Sequence, residues 1–139
     1  MSVPVFVDTN VLVYADDPAD PVKREKAQGL LRQVAREKSG RLSLQVLQEY
    51  FAVATRKLGM DAAAARQGVE LYAQLDVVRL EAVDLFGAID LHRLYDLSIW
   101  DALIVRAALI SGCRKLYTED LQAGFRIENL EVVNPFSAA

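Results

Sequence analysis

Short apolar runs alternate along the chain with longer segments in which apolar residues recur at helical spacing. The first run, Val3 to Val7, is rich in β-branched residues and stops at Asp8-Thr9-Asn10, which predicts a buried strand that ends in a turn. Further short strands are predicted at 41–44, 77–80, 115–117 and 131–133.

The helical segments begin and end at residues with capping chemistry. Asp20 and Pro21 supply an N-cap and a proline at the first helical position, and that helix continues to Ser39-Gly40. Further helices are predicted from Gln45 to Gly59, over 61–74, over 84–95, and over 99–111 after Ser98. Strands that alternate with helices predict the α/β class: a three-layer α/β/α fold with a central parallel sheet of about five short strands.

Length and composition narrow the class of protein. The 139 residues predict a single domain spanning 1–139, and 53% hydrophobic with 25% charged residues is a globular composition. The 16 basic and 19 acidic residues leave a net charge of −3, which provides no global basic field for nucleic acid. A nucleic-acid function would therefore need a local patch or a bound cation.

The scarcity of cysteine and histidine excludes several kinds of site. Cys113 is the sole cysteine and His92 the sole histidine, so one chain cannot form an internal disulfide or a two-histidine metal site. The N-terminus has no cationic lead-in of a signal peptide, and the apolar stretch 99–110 is interrupted by Asp101 and Arg106. We therefore expect a cytoplasmic protein that does not associate with membranes.

Four acidic residues are expected at one edge of the predicted sheet, where α/β proteins bind their ligands. Asp8 ends the first strand, Asp120 follows the strand at 115–117, and Asp101 lies in the first turn of its helix. Glu49 lies roughly 40° outside Val53, at the rim of its helix's apolar stripe. Four such carboxylates repel one another unless protons or cations neutralise them. The set predicts a hard divalent cation that activates a water for attack on phosphorus.

Each acidic residue also has an ordinary structural interpretation. Asp8 can form an Asx-turn or cap a following helix, and Asp101 stands three residues after Ser98 as in a capping box. Glu49 can be a solvated helix residue and Asp120 a turn residue. Their joint placement favours the functional interpretation.

Other conspicuous side chains are assigned structural roles. Trp100 is expected in the core or an interface rather than as a platform for nucleobases, and Cys113 is expected to pack as a small hydrophobe. Arg56 and Lys57 can contact phosphates, but a charged helix face is usually only solvated.

Four sequence strings carry a resemblance to a known family. FVDTNVLVYA, QVLQEYFAVATRK, IWDALIVRAAL and LYTEDLQ, in this order, resemble the PIN-domain family, and within it the VapC-type toxins of toxin–antitoxin pairs. The resemblance spans nearly the whole chain. It implies a Mg²⁺- or Mn²⁺-dependent endoribonuclease that hydrolyses RNA, forms homodimers, and is silenced by a cognate antitoxin.

The resemblance also assigns site residues. The family's metal-binding and catalytic acidic quartet falls on Asp8, Glu49, Asp101 and Asp120, with Glu119 as an alternative for the fourth position. Hydrogen-bonding support for the metal ligands falls on Thr9, Asn10, Ser98 and Thr118.

Two rival functions predict different features of the sequence and of its metal dependence. A non-catalytic PIN-like module would bind RNA or protein without needing metal. A phosphoacceptor signalling domain would need paired acids after the first strand, an acceptor Asp after the third and a Lys after the last. The residues at these places are Asp8-Thr9, Leu80-Glu81 and Val133-Asn134, so that pattern fails.

Overall fold

A six-stranded sheet forms the centre of the protein in the computed structural model, which describes residues 2–137. The strand order is β3-β2-β1-β4-β6-β5, so β1 and β4 occupy the middle. Five strands run parallel, and β5 is antiparallel to β6. The strands are β1 (Val5–Val7), β2 (Gly40–Ser43), β3 (Asp76–Val78), β4 (Lys115–Tyr117), β5 (Arg126–Ile127) and β6 (Leu130–Val133).

Six helices within residues 2–137 cover the sheet in two groups. Helix α1 contacts α2 and α3, and α3 contacts α4, whereas α5 packs against α6. Strand β2 is contacted by α2, α3 and α6. The predicted α/β class with flanking helices is thus confirmed. The helices are α1 (Thr9–Ala15), α2 (Pro21–Glu37), α3 (Leu44–Arg56), α4 (Ala62–Tyr72), α5 (Ala82–Tyr95) and α6 (Ile99–Ile110).

The core lies along the central strands. Phe6, Leu42 and Leu116 come from three adjacent strands and are all fully buried. Tyr50, also fully buried, reaches from α3 to the end of α1, where its hydroxyl donates to Asp16 Oδ2 at 2.5 Å. This contact ties α3 to the segment that follows the first strand. Within residues 2–137, the helices are too short or too polar for any of them to cross a bilayer.

Two elements differ from the sequence-based prediction. The turn predicted at Asp8-Thr9-Asn10 is wrong, because the chain passes directly from β1 into α1 with Asp8 as the N-cap. The β-branched residues in α1 weaken its helical signal, and burial of Val11 and Leu12 supplies the stabilisation instead. The two-residue strand β5 was not predicted, so the sheet has six strands rather than about five.

Candidate metal and active site

A groove opens at the carboxyl edge of the sheet, at the point where the strand order reverses. Strands β2 and β3 lie on one side of β1, and β4, β6 and β5 on the other, so the reversal falls between β1 and β4. Ligand sites in open α/β sheets occur at this place. The groove has a volume of about 480 Å³, and its lining includes Asp8, Glu49, Asp101 and Asp120. The structure therefore brings all four predicted carboxylates into one cavity.

Asp8 is fixed at the junction of β1 and α1. Its backbone N–H donates to the carbonyl of Tyr117 at 3.0 Å, which extends the pairing between the two central strands by one step. Its Oδ1 accepts from the N–H of Thr9 at 2.7 Å, and its Oδ2 accepts from the Thr118 hydroxyl at 2.8 Å. The capping role and the position in the groove are thus combined in one side chain, which is only 5% exposed.

Thr118 connects Asp8 to the segment after β4. Its buried hydroxyl oxygen accepts from Asn10 Nδ2 at 2.9 Å and from the backbone N–H of Asp120 at 3.1 Å. Asn10 Nδ2 also donates to Asp120 Oδ2 at 3.1 Å. These bonds link the Asp8 carboxylate to Thr118 and the Asp120 carboxylate to Asn10 in one network.

The other two carboxylates come from helices. Glu49 lies on α3, and its Oε1 accepts from the Thr9 hydroxyl at 3.0 Å. Asp101 lies in the first turn of α6, and its N–H donates to the Ser98 hydroxyl oxygen at 3.0 Å. The backbone of Asp101 is thus held by the N-cap residue of α6, and Asp101 also lines the groove.

The electrostatics of the groove disfavour a full set of negative charges. Burial raises the pKa of Asp8 to about 6, against the lowering effect of its bonds from Thr9 and Thr118. The charges of Asp120 and Glu49 raise it further. Burial also raises the pKa of Asp101, and the charge of Asp120 adds to that shift. Both shifts show that negative charge is costly here without a compensating cation.

The donor set is suited to a hard cation. The side-chain ligands that it offers are carboxylate oxygens, which Mg²⁺ and Mn²⁺ prefer. Across residues 2–137, however, no three acidic, histidine or cysteine side chains are gathered closely enough to hold an ion by themselves. Mg²⁺ usually binds one or two protein carboxylates and keeps several of its waters. The groove is suited to an ion bound in this way, not to one that is fully coordinated by protein side chains.

Glu119 and Asp120 are held differently. Glu119 also lines the groove, but its Oε2 pairs with Lys23 Nζ at 2.8 Å. Lys23 lies 4.5 Å from the centre of the Tyr14 ring and 3.3 Å from its hydroxyl. The Glu119 carboxylate is therefore already neutralised by a cation, whereas within residues 2–137 the Asp120 carboxylate accepts a hydrogen bond only from the neutral amide of Asn10.

The groove contains further residues that sequence reasoning did not assign to it. Gln45 lines it, and its Nε2 donates to the carbonyl of Trp100 at 3.2 Å. Trp100 is 63% exposed and also lines the groove, so of the two placements expected for it, core or interface, the core is wrong. Arg56, the last residue of α3, and Lys57, its C-cap, also line the groove. The sequence signal that could have placed Trp100 in the groove is its position directly before Asp101.

Comparison with known proteins agrees with this geometry. The profile of the PIN domain matches residues 5–126. No curated protein matches the sequence. Solved structures share the fold: a toxin–antitoxin complex from Klebsiella pneumoniae has a TM-score of 0.71 and 20% identity over 94% of this chain and 97% of that one.

Two further structures are similar at comparable levels. VapC20 of Mycobacterium tuberculosis, a toxin that cleaves the sarcin–ricin loop, has a TM-score of 0.66 and 20% identity over 84% of this chain and 89% of that one. VapBC2 of Rickettsia felis bound to promoter DNA has a TM-score of 0.69 and 19% identity over 94% and 97% of the two chains. Because the profile covers most of the sequence and the fold resembles these VapC-type structures, the chain belongs to the PIN-domain family.

Proposed function

We propose that the chain is a Mg²⁺- or Mn²⁺-dependent endoribonuclease and the toxin of a toxin–antitoxin pair. The observation that carries the proposal is the convergence of Asp8, Glu49, Asp101 and Asp120 in one groove, at the reversal of strand order. Membership of the PIN-domain family and the fold shared with VapC-type toxins support it.

In this proposal the four carboxylates hold the cation, directly or through water. Asp8 and Asp101 are the direct ligands, because burial makes their negative charges the most dependent on a compensating cation. Glu49 and Asp120 complete the site. A bound divalent cation would activate a water and stabilise the charge that develops on the phosphate during attack.

The protein's own contribution is to position the carboxylates. Thr118 fixes Asp8 through its donated hydrogen bond, and Asn10 fixes Asp120. Thr9 holds one oxygen of Glu49, which leaves the Oε2 atom without a hydrogen-bond partner among residues 2–137. Such fixed carboxylates need little rearrangement when charge develops at the phosphate.

The partners follow from the family and from the neighbouring structures. We propose an RNA substrate, a homodimer, and a cognate antitoxin that covers the groove. The neighbours from Klebsiella pneumoniae and Rickettsia felis are toxin–antitoxin assemblies, which supports the antitoxin.

The test is incubation of the purified, antitoxin-free protein with total RNA, with Mg²⁺, Mn²⁺ or EDTA. Asp101→Asn is the test variant, and Asp90→Asn is the matched control because Asp90 is exposed on α5 outside the groove. Discrete cleavage that needs both metal and Asp101 is expected. RNA binding without cleavage and without metal dependence would favour a non-catalytic module instead.

A further inference from the structure

We propose that Trp100 stacks on an unpaired base of the RNA substrate and that Arg56 and Lys57 contact its backbone phosphates. This inference rests on the proposed ribonuclease function and specifies how its substrate is recognised. It assigns roles to three groove residues that lie beyond the acidic quartet.

Trp100 has the placement of a stacking platform. It directly precedes Asp101, lines the groove, and is 63% exposed although it begins a helix whose inner face is fully buried at Ala102 and Val105. Its backbone is fixed, because its carbonyl accepts a hydrogen bond from Gln45. A large exposed aromatic ring on a fixed backbone beside the reaction centre is suited to base stacking, which tolerates any base sequence.

Arg56 and Lys57 add two basic side chains to the lining of the groove, which also includes the acidic Asp17. They lie seven and eight residues after Glu49, about 10 to 12 Å further along the chain at helical rise. Neither cation takes part in a salt bridge within residues 2–137. Lys23 differs, because its ammonium is already paired with Glu119. Arg56 and Lys57 are therefore separated along α3 from the carboxylate of Glu49.

This separation of charge favours one arrangement of RNA. The carboxylates repel phosphates unless a divalent cation is bound among them, whereas Arg56 and Lys57 attract phosphates. A strand that places its scissile phosphate at the cation can place neighbouring phosphates against Arg56 and Lys57. Trp100 then lies beside the scissile position, where its ring can stack only on a base that is not paired. A duplex cannot supply such a base without opening.

The sole tryptophan of the chain makes the stacking directly observable. We would titrate the full-length protein, in Ca²⁺ and separately in EDTA, with a short single-stranded RNA of mixed sequence and with the same RNA paired to its complement. The expected result is quenching of Trp100 fluorescence by the single strand, stronger with Ca²⁺, and little quenching by the duplex. Cleavage of the same single strand in Mg²⁺ is measured in parallel.

Variants separate stacking from charge in an anisotropy assay with labelled single-stranded RNA. Trp100→Ala should weaken binding at least about fivefold, and Trp100→Phe should restore part of it. Phe86→Ala is the control, because Phe86 is 61% exposed on α5 away from the groove. Arg56→Ala and Lys57→Ala should each reduce the slope of log K against log salt by about 0.7, which is the value for one phosphate on a single strand.

The outcomes distinguish this inference from the proposed function. Metal-dependent cleavage with unchanged Trp100 fluorescence, or with wild-type affinity in Trp100→Ala, would overturn the stacking role and leave the nuclease intact. A fluorescence change that depends on protein concentration without RNA would also overturn it, because a second copy would then cover Trp100. Absence of both binding and cleavage would count against the ribonuclease itself. Unchanged salt slopes in both basic variants would refute the phosphate contacts.

Discussion

The metal-free protein should lose stability as the pH rises from about 4 to about 6, because Asp8 must then ionise in a buried position. Burial raises its pKa from 3.8 to about 6. At about 1.4 kcal/mol per pH unit, the difference corresponds to about 3 kcal/mol. Since the side chain is only 5% exposed, screening by solvent does not reduce this value much.

The sign follows from proton binding. With a raised pKa, the folded state holds the Asp8 proton more tightly than the unfolded state does. The contribution to stability is therefore fully present below about pH 4, falls as the pH rises through about 6, and stays lost above that. Asp101, whose pKa is also raised, acts in the same direction.

The assay is urea denaturation in EDTA at a series of pH values from about 4 to about 7.5. Asp8→Asn removes the titrating group, so its unfolding free energy should vary less with pH than that of the wild type. Asp90→Asn, at an exposed position, should keep the wild-type dependence. A wild-type stability that is constant or rises across this window, or an Asp8→Asn protein with the full dependence, would refute the reasoning.

Three further predictions concern the metal, the packing and the hydrogen-bond network. At pH 7, Mg²⁺ at about 100 times its dissociation constant should stabilise the wild type by about 2.7 kcal/mol, measured as a rise in thermal midpoint, and should stabilise Asp8→Asn less. Gly68→Ala should destabilise the fold by about 1–3 kcal/mol in urea denaturation, because the new Cβ would lie 2.3 Å from the buried Tyr50 hydroxyl oxygen. Thr118→Val should cost about 1–3 kcal/mol in the same assay and lower RNA cleavage, because it removes the donor to Asp8 and the acceptor for Asn10.

Matched variants control the last two predictions. Gly29→Ala on α2 has no atom within 4 Å of the new Cβ, so it should stabilise by up to about 1 kcal/mol through helix propensity. Thr55→Val is the control for Thr118, because the Thr55 hydroxyl bonds only to carbonyls of its own helix. Equal effects of the two glycine substitutions, or of the two threonine substitutions, would contradict the packing and network described here.

The sequence was sufficient to predict the α/β class and the acidic edge. Asp8 and Asp120 follow strands with clear β-branched or apolar runs, and Asp101 follows a capping serine. Local signals of this kind depend on a few neighbouring residues, so they can be recognised without knowledge of the tertiary structure. The shared groove then follows from the rule that parallel strands end at one edge.

Other features depend on tertiary contacts and could not be predicted. Helix α1 is stabilised by burial of Val11 and Leu12 against the core, which overrides the weak propensity of its β-branched residues. Strand β5 has two residues and exists because it pairs with β6. Trp100 was expected in the core or an interface, whereas the orientation of α6 leaves it exposed beside the groove, which local sequence does not reveal.

The most direct test of the central claim is the location of a bound ion. Crystals soaked in Mn²⁺ and measured for anomalous scattering should show an ion in the groove, in contact with carboxylate oxygens of Asp8 and Asp101 and completed by waters. Mn²⁺ ordered only elsewhere on the protein, or an empty groove at saturating Mn²⁺, would contradict the assignment of these carboxylates as the metal site of a nuclease.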